Sequence, residues 1–420
     1  VGIAGVAVVQ VTQNGEVHDW YRIGFGFDEQ IVAQILDEFG ARRSWTVIDP
    51  FCGTGTTLVE CKKRAIRSVG IDANPSSILA SRVKTRWDLR PARLKDLAAA
   101  AVPIFRRGLR GRAAVLGDPT YRYLESSGML LRGWISPDPL FKAISLKHAI
   151  YGLSAPRKYA QALLLCLISE VVYGSSNVKF GPELYCASPR SDCDVLGGFL
   201  NRVDTVASDL ETVSQLERRP TYVVRGDSRN CLALNRAFIP RHFDALICSP
   251  PYPTEHDYTR NSRLELAFIE SVTDVETLRR IKRTMIRSHS KGIYKGDDDA
   301  AFVADCRMLR PILAELRVRA AKKDYKFAPL YPRVVQEYFG GMHRHLSSML
   351  SRLRPGARCA YIVGDQMYLQ VHVPTARILA SIAREVGYEE MGRRVWRQRT
   401  PTTRRSSPLD ETIVFLRRPT

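Results

Sequence analysis

Apolar residues recur along this chain of 420 residues as short runs set between longer, helix-like stretches. Runs at 46–48, 68–71, 221–224, 243–248, 358–363, 394–397 and 411–416 have the length and branched or aromatic content of strands. Segments 334–353 and 374–386 carry a helical period instead. The first is closed by Arg354-Pro355-Gly356 and the second by Gly387, residues that stop helices. Strands that alternate with helices predict a parallel sheet in an α/β fold, because each crossover must cover a face of the sheet. The last two runs are joined by a loop rather than a helix, which predicts a closing antiparallel hairpin.

The chemistry gathers where these runs stop. The fourth run ends in Ser249-Pro250-Pro251-Tyr252. Two prolines close a buried strand at its C-terminal edge, where open α/β sheets hold their ligands. Neither proline has an N–H, so a ligand there meets carbonyls, a serine hydroxyl and an aromatic face. That set suits a planar group bearing an exocyclic amine, such as a nucleobase. The first run leads into Asp49-Pro50-Phe51-Cys52-Gly53-Thr54-Gly55-Thr56-Thr57, which reads as strand, glycine turn and helix 58–64, with backbone exposed to a ligand at the helix N-terminus. Leu58 follows Thr57, so the Gly-Lys-Ser/Thr of a nucleoside triphosphate loop is missing, as is the third glycine of a dinucleotide loop. The second run ends at Asp72, a carboxylate placed to take two ribose hydroxyls.

Together, the nine residues from Asp49 to Thr57 and the tetrad from Ser249 to Tyr252 resemble the S-adenosylmethionine-dependent DNA amino-methyltransferases, which methylate cytosine N4 or adenine N6. The resemblance covers 18–90, 220–266 and 332–419. It implies a Rossmann-like seven-stranded methyltransferase sheet with a large, mainly helical insertion. The catalytic domain is then divided into 1–90, 220–252 and 332–420, the helical insertion is 91–219, and 253–331 is a candidate target-recognition insert. It also implies that Asp49, Pro50, Phe51, Gly53, Gly55, Thr56, Thr57 and Asp72 bind S-adenosyl-L-methionine, and that Asp227 meets its adenine ring. The aromatic segment 18–27 resembles the family's N-terminal motif, which packs on the methionine end.

An aryl amine is a poor nucleophile while its lone pair is delocalised into the ring. Hydrogen bonds from the amine to the Pro250 carbonyl and the Ser249 hydroxyl favour a pyramidal nitrogen aimed at the sulfonium methyl, with Tyr252 stacked on a base that has left the duplex. Ser249, Pro250, Pro251 and Tyr252 are therefore the catalytic candidates. Serine rather than aspartate at the head of the tetrad favours cytosine N4 over adenine N6. Methylation at cytosine carbon 5 needs a thiolate, usually in a Pro-Cys pair, and none of the nine cysteines follows a proline. Cys248 reads as core. No cysteine spacing suits a metal, and free thiols are expected.

Composition agrees with a polyanionic partner: 63 Lys and Arg against 43 Asp and Glu give a net charge of +20. Basic residues cluster at 279–295 and again at 393–405, the second cluster in the predicted hairpin loop beside the C-terminal edge of the sheet. Candidate contacts to double-stranded DNA are Tyr258, Arg260, Arg263, Arg280, Lys282, Arg283, Arg397 and Arg399. The apolar stretch 159–168 is too short to span a bilayer and reads as a buried helix. With no signal peptide recognised at 1–11, a cytoplasmic, nucleoid-associated location is expected, without a membrane partner. A companion restriction endonuclease is implied by the resemblance only. Competing readings are an N6-adenine DNA methyltransferase, an RNA or protein methyltransferase of the same fold, and a catalytically silent DNA-binding subunit.

Overall fold

The computed structural model of the chain describes residues 17–22, 26, 28–180, 184–217, 219–254, 256–324, 326–399 and 408–420. One sheet contains seven strands: β1 Thr46–Asp49, β2 Arg67–Asp72, β3 Thr221–Arg225, β4 Phe243–Cys248, β5 Leu353–Gly364, β6 Glu389–Arg399 and β7 Leu409–Arg417. Their order is β3-β2-β1-β4-β5-β7-β6. The first five are parallel, and β7 runs antiparallel to both β5 and β6. The parallel strands and the closing antiparallel hairpin are those that the sequence pattern predicts, in the seven-stranded Rossmann-like arrangement that the resemblance implies. The strand order reverses between β1 and β4, which makes their C-terminal ends the crevice of the sheet.

Alternation along the strands sorts side chains into two layers. Val47, Ala245, Ile247, Ala360, Ile362 and Ile413 pack with Ile31, Ile35 and Leu36 of helix α1, Glu29–Glu38. Ile48, Leu246, Cys248, Tyr361, Val363 and Val414 face the opposite way, under α4, Tyr331–Leu350, and α5, Thr375–Val386. Two further helices border the crevice: α2, Thr56–Lys63, follows β1, and α3, Pro75–Lys84, follows β2.

Two boundaries differ from the pattern. Helix α4 stops at Leu350, and β5 starts at Leu353, so Pro355 and Gly356 lie inside a strand rather than after a helix. The ladder shifts between Phe243 and Ala245, and Gly356 adopts φ +76°, so this irregular stretch accommodates the proline. Strand β6 is eleven residues long and twice bulged. It is an edge strand with exposed Arg393, Arg394 and Arg397, charges that suppress pairing with another chain and also hide the apolar period.

Between α3 and β3 come the helices Pro91–Gly108, Arg112–Gly117, Pro119–Ser126, Pro137–Tyr151, Arg157–Ser169 and Val195–Val213. The stretch 159–168 supplies buried Leu163, Leu165 and Leu167 to their common core. Residues 253–331 are divided between two cores. Leu264, Phe268, Val272 and Ile281 join the insertion, whereas Ile286, Val303, Leu309 and Leu316 join the α4 side of the sheet. A buried ammonium ties the two inserts together, since Lys147 Nζ donates to Asp118 at 2.7 Å, Thr120 at 2.8 Å and Glu270 at 2.8 Å. All nine cysteines are unpaired. Among the described residues, no helix is long and apolar enough to cross a membrane, and no cluster of side chains suits a metal ion.

Candidate functional site

The glycine turn is held from three directions. Asp72, at the tip of β2, accepts the Gly53 amide at 2.9 Å through one carboxylate oxygen and the Asn74 amide at 2.7 Å through the other. Ser81 of α3 donates to the Gly53 carbonyl at 2.6 Å. Gly55 has φ +92° at the N-cap of α2, and a Cβ there would lie 3.1 Å from Ser81 Oγ and 3.2 Å from its Cα. Glycine is therefore required both by dihedral and by space. On the third side, Ser228 Oγ donates to the Pro50 carbonyl, and Phe51 packs on the His345 ring with centroids 4.9 Å apart. His345 donates from Nδ1 to the Ser228 carbonyl at 2.8 Å, and burial lowers its pKa to about 4, so the ring is neutral.

Asp49 stands at the end of β1, fully buried. One of its oxygens accepts the Phe51 amide at 3.0 Å, and the other has no hydrogen-bond partner. Burial raises its pKa to about 7, and burial likewise raises that of Asp72 to about 6, despite amide donors to both. The Thr57 side chain stands beside this carboxylate at the N-terminus of α2, and the unpartnered oxygen has room in its hydrogen bonding for a further donor or a cation.

Strand β4 is the parallel neighbour of β1, so the Ser249-Pro250-Pro251-Tyr252 bend leaves the sheet next to the glycine turn. Thr57, in the first turn of α2, donates to the Ile247 carbonyl at 3.4 Å and joins the two. Tyr252 is fixed at both ends. Its amide donates to Tyr258 Oη at 3.0 Å, and its hydroxyl donates to Glu411 of β7 at 2.7 Å. Ser249 Oγ lies 3.2 Å from that same hydroxyl. Burial, and after it the Glu411 charge, holds the Tyr252 phenol well above its ordinary pKa. The Arg399 guanidinium sits over the Tyr252 ring, 5.6 Å from its centroid.

The remaining expected residues scatter in role. Asp227 follows β3, and both its oxygens take hydrogen bonds from Arg229, whose guanidinium also reaches Asp299 at 2.6 Å. Gly340 of α4 permits this approach, because a Cβ there would meet the Asp299 carbonyl oxygen at 1.8 Å. Arg263 points inward, donating to the Thr259 carbonyl at 3.2 Å and Tyr123 at 3.3 Å. Lys282 is paired with Asp257 at 2.5 Å, both side chains partly buried, and Arg260 reaches the Leu184 carbonyl at 3.4 Å. Arg280 and Arg283 are exposed on the helix Val275–Arg283, the latter 3.3 Å from Glu276. Arg397 and Arg399 lie on β6 itself rather than in the hairpin loop, bound to Glu411 and the Asp365 carbonyl respectively. Of the aromatic segment 18–27, Trp20 and Tyr21 are core, while Ile23, Gly24, Phe25 and Phe27 lie outside the described residues, as do Arg404 and Arg405.

Sequence reasoning did not single out Arg229, Asp257 or Glu411. For Glu411 a signal exists: it is the one charged residue of the apolar run 411–416, and it is 4 % exposed. A charge held inside a strand needs a partner.

No family model matches the chain. Several curated relatives are similar to it. The type II methyltransferase M.BsoBI of Geobacillus stearothermophilus is 24% identical over 417 residues, covering 90% of this chain and 80% of the relative. M.AvaI of Nostoc is 20% identical over 399 residues with the same coverage. M.MjaII of Methanocaldococcus jannaschii is 53% identical over 45 residues, 10% of this chain and 8% of that protein. Among solved structures, the rRNA methyltransferase AviRa of Streptomyces viridochromogenes covers 96% of this chain and 90% of its own at 12% identity and a TM-score of 0.34, too distant to bear on the site.

Proposed function

We propose that this chain, a member of the S-adenosylmethionine-dependent DNA methyltransferase family, methylates the exocyclic N4 amine of a cytosine flipped out of duplex DNA. The observation that carries this reading is the adjacency of the glycine turn and the Ser249-Pro250-Pro251-Tyr252 bend at the reversal of strand order. S-adenosylmethionine is the methyl donor, and when bound it supplies an activated sulfonium methyl. The residues present fit it. Asp49 offers an unpartnered buried oxygen to an ammonium, and Asp72 offers two oxygens to ribose hydroxyls while it shapes the turn. Phe51 and the amides at the start of α2 complete the cradle, with Thr56 and Thr57 behind it.

At the bend, the Pro250 carbonyl and Ser249 Oγ accept the two hydrogens of the target amine, which localises its lone pair for in-line attack. Tyr252 provides the surface for the base, and Arg399 must give up part of that ring when the base enters. Serine at the head of the tetrad supports cytosine over adenine. Asp227 holds Arg229 beside the adenine side of the cradle. Tyr258 acts through the Tyr252 amide, while Arg280 and Arg283 are the exposed candidates for phosphate. Type II methyltransferase relatives support a restriction endonuclease as the companion of this enzyme.

The test is transfer of labelled methyl to separate DNA and RNA pools, followed by nucleoside digestion. N4-methylcytosine from DNA is the expected product; N6-methyladenine would overturn the choice of base, and label in RNA alone the choice of polymer. Pro251→Ala should depress turnover with little change in cofactor affinity, and Asp72→Ala should do the reverse.

A further inference from the structure

The hydroxyls of Ser249 and Tyr252 and the carboxylate of Glu411 form one chain of hydrogen bonds from the catalytic bend to β7, with the exposed guanidinium of Arg397 on the second Glu411 oxygen. A carboxylate only accepts, and an arginine only donates. With Arg397 donating to the second oxygen of Glu411, its first oxygen accepts the single proton of the Tyr252 hydroxyl. Tyr252 then has nothing left to give Ser249, and the 3.2 Å contact between them runs one way, with Ser249 donating. The serine proton is thereby turned away from the crevice, and its lone pairs face it.

We infer that Glu411 is a positioning residue that sets the direction of this chain and so makes Ser249 an obligate acceptor, selecting bases that carry a primary amine. The inference rests on the reading of Ser249 as the partner of the target amine. Without a fixed direction, serine offers either a proton or a lone pair. With it, Ser249 and the Pro250 carbonyl form a pair of acceptors that fits two N–H groups and repels a ring carbonyl, the group that thymine and guanine present at the equivalent position. An unpaired acceptor facing another acceptor is costly in a pocket closed to water. Discrimination therefore arises from a residue on a strand two positions away from β4 in the sheet, a residue that need not touch the base.

Glu411→Gln reverses the chain. Arg397 claims the new amide oxygen, the amide N–H₂ turns toward Tyr252, Tyr252 donates to Ser249, and the serine proton points at the amine. The variant should lose about tenfold or more in kcat on DNA, the scale of one misdirected hydrogen bond, with cofactor affinity and thermal midpoint unchanged. Tyr252→Phe breaks the chain, so adding Glu411→Gln to it should cost nothing further. Arg397→Met provides a second route that leaves the buried strand intact: Glu411 loses the donor on its second oxygen and is held less firmly toward Tyr252, so kcat at saturating DNA should fall, by less than in Glu411→Gln. If the wild-type protein methylates DNA but Glu411→Gln keeps its kcat, or costs as much in the Tyr252→Phe background as alone, the inference is overturned and the assigned function stands. If the wild-type protein transfers no methyl to DNA, both are overturned.

Discussion

Asp49 is an acid that the fold keeps near neutrality, and its cost and its use have one source. Burial lifts its pKa to about 7, so between roughly pH 4, where a solvated carboxyl ionises, and pH 7 the empty protein carries a rising penalty for the charge. Stability falls as pH rises through that window. A cationic ligand group reverses the sign, because it favours the ionised form. Cofactor affinity should therefore increase by about tenfold or more between roughly pH 5.5 and 7.5. Asp49→Asn should flatten that profile and stabilise the empty chain at neutral pH. Calorimetric titration at several pH values, with melting curves of both proteins, checks this; affinity independent of pH in the wild type would remove the ammonium from this site. Asp49, Asp72 and Ser249 can be singled out in the sequence because each stands at the end of a strand-like apolar run, a local signal. Glu411 and Arg229 gain their meaning from partners 159 and 70 residues distant along the chain, which no local pattern records.

The turn after Tyr252 is built as a single mechanical element. Asp257 accepts the amides of Thr259 and Arg260 and so caps the short helix Tyr258–Asn261, which presents the Tyr258 hydroxyl to the Tyr252 amide. Burial works against the Asp257 charge, but Lys282 and His289 hold its carboxyl well below the usual range. Lys282→Met should strand that carboxylate and cost about 3 kcal/mol of stability, measured by urea unfolding. Turnover should fall further than cofactor affinity, because the catalytic bend loosens while the glycine turn, anchored by Ser81 and Ser228, does not. Unchanged stability would mean that the pair contributes no more than a surface ion pair. The strands of the sheet are legible in the sequence as short apolar runs, except for the ends of β6 beyond 394–397 and the start of β5. There, exposed arginines and a proline contradict the pattern, and only pairing with β7 and β4 decides the structure. The division of 253–331 between two cores is equally hidden, since periodicity says that a face is apolar and not which neighbour covers it.

For the molecule as a whole, a net charge of +20 sets affinity for a polyanion, but the fold decides which charges are free to express it. Arg263 and Lys282 are committed to partners within the protein, and Arg397 and Arg399 lean on Glu411 and the Tyr252 ring. Arg279 and Arg280 instead stand exposed on the helix Val275–Arg283, with no ion pair among the described residues. Each charge that neutralises a phosphate contributes about 0.9 to the slope of log affinity against log salt. The double substitution Arg279→Ala with Arg280→Ala should thus lower the magnitude of that slope by about two and weaken binding to all duplex sequences alike. Arg263→Ala should leave the slope unchanged and lower stability, because its guanidinium bonds only within the protein. Fluorescence anisotropy of a labelled duplex across a salt series separates the two. A slope that survives loss of both exposed arginines would move the phosphate path off this helix.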